Sequence, residues 1–200
     1  FFFAIGLKLL RFRRETVSVE PFRPVDMAPF YDALPFILTG AQRRCVDEAI
    51  ADMTAGKPMN RLCQGDVGSG KTMVAAACVY FCVKNGRQAA LMAPTELLAE
   101  QHYRGLALLE QLGLRCALLT GSTPAKTKRS VTAQLASGEL DFAIGTHALI
   151  SGGVAYANLG LVVTDEQHRF GVAQRTALAE KGEHPTRWSC PPRPFPGRWR

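Results

Sequence analysis

The sequence predicts an α/β fold with a mainly parallel sheet, and three observations carry that expectation. A glycine-rich run, Gly65-x-x-x-x-Gly70-Lys71-Thr72, stands between a strand-like stretch at 60–64 and an apolar, helix-forming run at 72–83. Short apolar runs recur at 88–93, 115–120, 141–146 and 159–164, separated by segments long enough for a helix. The last of these runs ends in two adjacent acids, Asp165-Glu166. Strands that alternate with helical crossovers pair in parallel and place ligands beyond their carboxyl ends.

Taken in order, the chain begins with an apolar stretch, Phe1 to Leu10, whose charges Arg11, Arg13 and Arg14 follow it. That order is wrong for a signal peptide and the length is too short for a membrane span. Residues 1–20 are expected to be an amphipathic helix ending a preceding region, and the lack of an initiator Met points to a fragment. Prolines at 21, 24, 29 and 35 make 21–35 a linker. Thr39 is the expected N-cap of a helix running to Met53, with Ala41, Val46 and Ile50 on its apolar side. Asn85-Gly86 ends the helix that follows the glycine-rich run. Pro94-Thr95-Glu96 turns into a helix over 97–112, which Gly113 stops, and Gly121-Ser122-Thr123-Pro124 caps another over 125–137.

Composition narrows the class. A chain of 200 residues, 47% hydrophobic, suits one domain with a core of its own. The net charge of +7 sits at the ends, because residues 24–183 carry as many acids as bases. Overall basicity is therefore no argument for nucleic acid. Lys126, Lys128 and Arg129 form a local basic group that a solvated helix face also explains. The six cysteines contain no C-x-x-C pair, which disfavours metal and disulfide readings. Cys63, Cys78 and Cys116 lie in apolar runs, as small core residues of a cytoplasmic protein do.

The glycine-rich run has the spacing of a phosphate-binding loop. Gly65, Gly68 and Gly70 allow successive backbone N–H groups to turn around an oxyanion, and Asp66, Val67 and Ser69 complete the cradle. The following helix aims its positive end at the same place. In this pattern Lys71 reaches the β- and γ-phosphates, and the Thr72 hydroxyl holds Mg²⁺. Asp165-Glu166 supply the other half of an ATPase site. Asp165 holds Mg²⁺ through water, while Glu166 orients the attacking water. His168, three residues on, is placed to link the γ-phosphate region to a neighbouring element, although a lone histidine is more often structural.

Further runs carry a family resemblance. They are Pro35-Phe36 with Leu38-Thr39-x-Ala41-Gln42, Ala93-Pro-Thr-Glu96 followed by Leu98-Ala-Glu-Gln-His102, Leu118-Leu-Thr-Gly-Ser122, Gly145-Thr-His-Ala-Leu149 and Asp165-Glu-Gln-His-Arg-Phe-Gly-Val172. With the phosphate loop they resemble, over roughly residues 30–183, the superfamily 2 helicases and among them the RecG branch-migration helicases. The transcription-repair coupling translocases are similar in the loop and the His-Arg-Phe-Gly stretch, but Ser69 and Gln167 match the RecG pattern better. The resemblance implies a RecA-like ATP-binding domain over 36–183, with ATP and Mg²⁺ as cofactors and branched or duplex DNA as partner. It implies that Gln42 reads adenine and that Phe36 stacks near it. It also implies that Pro94, Thr95, Glu96, Thr120, Gly121, Ser122, Gly145, Thr146 and His147 face the DNA backbone. Loops at strand ends suit such contacts because hydroxyls and backbone N–H groups bind phosphate without reading sequence. The family further implies a second motor domain, an upstream DNA-reading domain, a monomer and no membrane. A phosphate-loop ATPase without DNA function is the alternative of a different class.

Residues 184–200 depart from that pattern, with five prolines and no acid. The family has its next strand here, ending in Ser/Thr-Ala-Thr. Back-translated with GC-rich codons and read in a shifted frame, this tail yields such text, so a frameshifted end, and with it a nonfunctional gene remnant, is one reading. A proline-rich segment is not expected in a central strand. The sheet is therefore expected to be incomplete at its C-terminal end, with at most weak ATP binding and no unwinding by these residues alone.

Overall fold

In the computed structural model the described residues are 20–56, 59–63, 69–165, 177–178, 180–182 and 185–190. The helix expected over 1–20 lies almost entirely outside them. Six strands form one sheet: β1 (Asn60–Leu62), β2 (Gln88–Met92), β3 (Cys116–Leu119), β4 (Phe142–Gly145), β5 (Leu159–Asp165) and β6 (Thr186–Cys190). Their order is β1-β6-β5-β2-β4-β3, and every pairing is parallel.

Side chains alternate across the central strands. Ala89 and Leu91 of β2, Phe142 and Ile144 of β4 and Leu161 and Val163 of β5 enter one core, whereas Ala90, Met92, Ala143 and Val162 enter a second on the opposite face. A sheet covered on both faces needs strands that are apolar throughout, and β2 and β4 are buried at every position.

The first core is closed by α1 (Ala28–Asp32), α2 (Gly40–Thr54), α3 (Lys71–Lys84), α4 (Glu96–Gly105) and α5 (Leu108–Gln111). Helix α3 is buried without interruption from Val74 to Cys82, so its all-round apolar sequence reflects a central position rather than an amphipathic surface. Helix α2 begins with a capping box: Thr39 Oγ1 accepts from Gln42 N–H, and Gln42 Oε1 accepts from Thr39 N–H at 2.8 Å. The second core is closed by α6 (Ala125–Ser137), through Val131 and Leu135, and by the 3₁₀ turn His147–Ile150. One buried polar residue ties this side together. Gln88, 4% exposed, donates to the carbonyls of Leu135 (3.0 Å) and Leu140 (2.7 Å) and accepts from Asn158 N–H (3.0 Å).

Three expectations are corrected. The segment 21–35, expected to be a linker, packs on the first core. Phe22 packs on Phe81 and Phe30 on Tyr80, at 6.0 and 5.6 Å between ring centres, and Phe30 is fully buried. Arg23 is fastened to Asn85 by hydrogen bonds in both directions. The prolines break regular structure while the aromatic residues between them supply burial, so the segment is a strap on the first core.

The helix expected over 97–112 is two helices. Through Ala107, Leu109 and Glu110 the backbone bonds run to the third preceding residue, to Arg104, Leu106 and Ala107. This tightening lets both Leu106 and Leu109 enter the core.

The third correction concerns the end of the chain. The sheet has no gap there, because β6 lies between β1 and β5, in the position expected to be missing. Its five residues fit between Pro185 and Pro191, so no proline interrupts the ladder. Two neighbouring strands with unpaired N–H and C=O groups are a strong template, and this short window satisfies them. Trp188 fills the first core at 1% exposure, and its indole N–H has no partner among the described residues. The expectation of weak nucleotide binding rested in part on the gap and loses that part of its ground.

Candidate functional site

The parallel register puts the chemistry of the chain on one edge. Leu62, Ser189 and Thr164 lie in one row across β1, β6 and β5, and Cys190 pairs with Asp165 in the next. With neighbouring strands about 4.8 Å apart, the exit of β1 towards the glycine-rich loop and the Asp165 backbone are roughly 10 Å apart. The first turn of α3 begins with Lys71 and Thr72, both half-buried, after Gly70. Gly65, Asp66, Val67 and Gly68 lie outside the described residues, as do Glu166 and His168.

Gly70 has φ +76°, a left-handed conformation, and a Cβ there would collide with the Gln42 amide nitrogen. That nitrogen donates to the Ser69 carbonyl at 2.9 Å, while the same amide's oxygen holds the Thr39 N–H. Gln42 thus fastens the loop's end to the start of α2. One amide hydrogen and one lone pair remain on it for a ligand. Arg61 on β1 fixes the opposite end of α2 by pairing with Asp52 (2.5 Å) and Glu48 (2.6 Å), which holds its guanidinium above the usual range. Phe36, 48% exposed, lines a cavity of about 410 Å³ together with Tyr31, Leu34, Leu38 and Arg43. The Arg43 guanidinium lies 3.8 Å from the Tyr31 ring centre, leaving a flat apolar and cationic wall at the head of α2.

On β5, Asp165 is half-buried and its Oδ2 lies 2.7 Å from His102 Nε2 in the last turn of α4. Facing a carboxylate, Nε2 carries the hydrogen. His102 sits in the run Leu98-Ala-Glu-Gln-His102, yet the sequence gives it no role, because a contact 63 residues distant depends on the packing of α4 over the sheet.

The loops after β2, β3 and β4 meet farther along the same edge. Thr95 caps α4 by accepting from Leu98 N–H, and Glu96 reaches the loop after β3, where Ser122 N–H (3.1 Å) and Ser122 Oγ (2.7 Å) donate to its carboxylate. Those Ser122 bonds, the side-chain bond first, hold the Glu96 carboxyl below its ordinary range, with a smaller contribution from His147 nearby. Gly145 closes β4 where a Cβ would run into the Leu119 carbonyl of β3.

These positions sort the residues assigned to the DNA face. Thr95, Gly121, Ser122 and His147 are exposed there, and Pro94 and Glu96 are partly so. Thr120, Gly145 and Thr146 are buried. The Thr120 hydroxyl is engaged by Ser122 and Thr123, and Thr146 Oγ1 is enclosed without a partner among the described residues. The Glu96 carboxylate is thus engaged by Ser122.

Among the described residues no group of three or more His, Cys, Asp or Glu side chains is arranged to hold a metal, and no helix is long and apolar enough to cross a membrane.

Comparison with known proteins agrees with this arrangement. A DEAD/DEAH box helicase family model matches residues 39–190, through the end of β6. The ATP-dependent DNA helicase RecG of Streptococcus pneumoniae is 56% identical over 153 residues, covering 76% of this chain and 23% of the relative. That of Bacillus subtilis is 47% identical over 190 residues, covering 92% and 28%. A structure of RecG bound to a three-way DNA junction superposes with a TM-score of 0.81 at 40% identity, over 96% of this chain and 26% of that one. The UvsW helicase of bacteriophage T4, at 11% identity and a TM-score of 0.59, shares the fold. The chain spans about a quarter of the length of the RecG relatives it matches. It belongs to the DEAD/DEAH box helicase family, and within that family its sequence and its sheet align with the RecG helicases.

Proposed function

We propose that this chain is the ATP-binding motor domain of a RecG-type DNA helicase, a protein that uses ATP to remodel branched DNA such as Holliday junctions and stalled forks in recombination and repair. The observation that carries the reading is one sheet edge that presents three things together. They are Gly70 in the left-handed conformation against Gln42, Lys71 and Thr72 at the N-terminus of a 14-residue helix, and the Asp165 carboxylate at the end of β5.

These residues fit a magnesium nucleotide. The backbone N–H groups that begin α3 and the Lys71 ammonium attract phosphate, and the Thr72 hydroxyl with Asp165 offers the hard oxygen ligands that Mg²⁺ takes. Bound there, Mg²⁺ would neutralise charge on the phosphate oxygens. Glu166 is assigned to orient the attacking water, His168 to the γ-phosphate side, and Phe36 and Gln42 to the base. Gly65, Asp66, Val67, Gly68 and Ser69 complete the phosphate cradle. Thr95, Gly121, Ser122 and His147 meet the DNA backbone, with Pro94, Glu96, Thr120, Gly145 and Thr146 shaping the loops beneath. Unwinding belongs to the whole protein, in which a second motor domain completes the cleft and an upstream domain reads the junction. The whole protein acts as a cytoplasmic monomer.

Binding of a fluorescent ATP analogue to the 200-residue chain and to Lys71→Ala tests the nucleotide half, and a strong loss in Lys71→Ala is expected. Branched DNA added to the full-length protein should raise its ATPase rate. ATP turnover indifferent to DNA would identify a phosphate-loop ATPase of another class.

A further inference from the structure

The His102–Asp165 contact joins the two halves of the sheet edge through a single helix. Helix α4 is ten residues long and starts at the loop after β2, where Thr95 caps it and Glu96 is anchored on Ser122. It ends at the nucleotide side, where His102 lies 2.7 Å from Asp165. Both ends therefore hold a side chain by a hydrogen bond at a site of different function. The two side chains of the contact are 13% and 22% exposed, so the bond is shielded from much of the competing water. Ala99, between them, is fully buried and seats the helix on the first core. Leu98 and Tyr103, partly buried, pack on the same core, so a ten-residue helix fixed at both ends can deliver a shift of its first turn to its last.

Resting on the nucleotide reading above, we propose that His102 is a positioning residue that sets the Asp165 carboxylate for the metal–nucleotide complex, and that α4 transmits occupancy of the strand-end loops to it. His102 touches neither nucleotide nor DNA in this role. It restricts the carboxylate to one orientation, so the metal meets a preset ligand rather than a rotating one. When DNA backbone engages Ser122 and the α4 N-terminus, the Glu96–Ser122 anchor is the contact that must adjust, and α4 carries that adjustment to His102. The rest of the edge offers no comparable bridge among the described residues, since Gln42 links the phosphate loop only to α2.

The test measures affinity of a fluorescent ATP analogue for the 200-residue chain against Mg²⁺ concentration, with and without a single-stranded oligonucleotide. For His102→Ala the half-saturating Mg²⁺ should rise on the order of 10-fold, while affinity without Mg²⁺ stays unchanged. The oligonucleotide should alter the Mg²⁺ requirement of the unmodified chain and not that of His102→Ala. His102→Gln, whose amide N–H can still reach the carboxylate, should recover most of both effects. If His102→Ala melts early, His102→Asn, polar but shorter, takes its place. An unchanged Mg²⁺ requirement in a chain whose nucleotide binding depends on Lys71 overturns the positioning role alone. Loss of Mg²⁺-free affinity as well would mark a structural defect and also overturn it. Absence of Lys71-dependent binding in the unmodified chain overturns the nucleotide reading and this role together.

Discussion

The hydroxyl of Ser189 lies 3.0 Å from that of Thr164, across the pairing of β6 with β5. A side chain therefore reinforces the ladder that draws the segment between Pro185 and Pro191 into the centre of the sheet. Its neighbour Trp188 is the largest fully buried side chain described. Trp188→Ala should cost about 3–5 kcal/mol, measured by urea unfolding. Trp188→Phe keeps most of the volume and removes the unpartnered indole N–H, so it should cost much less. Equal, small losses in both variants would show that β6 is not part of the stable sheet.

Gln88 makes a second demand on stability. Replacing it with Leu of similar volume takes the Gln88 partner from the Leu140 carbonyl and the Asn158 N–H, while the Leu135 carbonyl keeps the N–H groups of Gly138 and Ala157, and the loss should be about 2 kcal/mol. Gln88→Glu should be worse, since a carboxylate cannot donate to the Leu135 and Leu140 carbonyls. A melting temperature within a degree of the unmodified chain in both would contradict this account.

Gly70→Ala puts a Cβ into the Gln42 amide and forces a left-handed backbone on alanine. The backbone term alone costs about 1–3 kcal/mol, and nucleotide affinity should fall sharply. Adding Gln42→Ala removes the collision but not the backbone strain. The double variant should therefore be more stable than the sum of the two losses predicts, by thermal melting. Strict additivity would mean that the two residues do not touch.

Three core thiols set an alkaline limit. Burial pushes Cys78 and Cys116 up to about 12 and Cys82 higher still, from an ordinary value of 9.0. Below pH 9 these thiols are protonated in both folded and unfolded chains, so stability there does not depend on them. Between pH 9 and 12 the unfolded chain loses protons that the folded chain keeps, and stability falls. The fully buried Cys78 alone contributes up to about 1.4 kcal/mol per pH unit. Urea midpoints at pH 8, 9.5 and 10.5 should fall progressively, and less steeply in Cys78→Ala. A midpoint that does not change up to pH 10.5 would show the thiols to be open to solvent.

Glu96→Ala releases the Ser122 N–H and hydroxyl and removes a negative charge from the edge proposed to meet DNA. Single-stranded DNA should bind Glu96→Ala more tightly, while DNA should shift its Mg²⁺–nucleotide affinity less. Weaker DNA binding would mean that Glu96 contacts the strand favourably.

Much of the architecture was legible because it is written in local pattern. The apolar runs of β2, β4 and β5, the Thr39 N-cap and the proline- and glycine-bounded helix over 125–137 each lie within a dozen or so neighbouring residues. Legibility failed where distant surfaces decided. The strap at Phe22 and Phe30 reads as a proline-rich connection until Phe81 and Tyr80 are placed opposite it. The helix expected over 97–112 breaks because Leu106 and Leu109 both turn inward. The burial of Thr120 and Thr146 at the strand ends also gave no signal in the sequence.

By itself the sequence determined the class of the sheet, the glycine-rich run that ends at Gly70-Lys71-Thr72, the acid at the end of β5 and the family they mark, because each rests on residue type and spacing along the chain. Only the tertiary structure decided that residues 186–190 become a central strand, since that outcome depends on unpaired ladder groups offered from both sides rather than on the segment's own propensity. It alone also brought His102 to Asp165, two residues whose proximity follows from the way α4 is seated on the sheet and from nothing in the text between them.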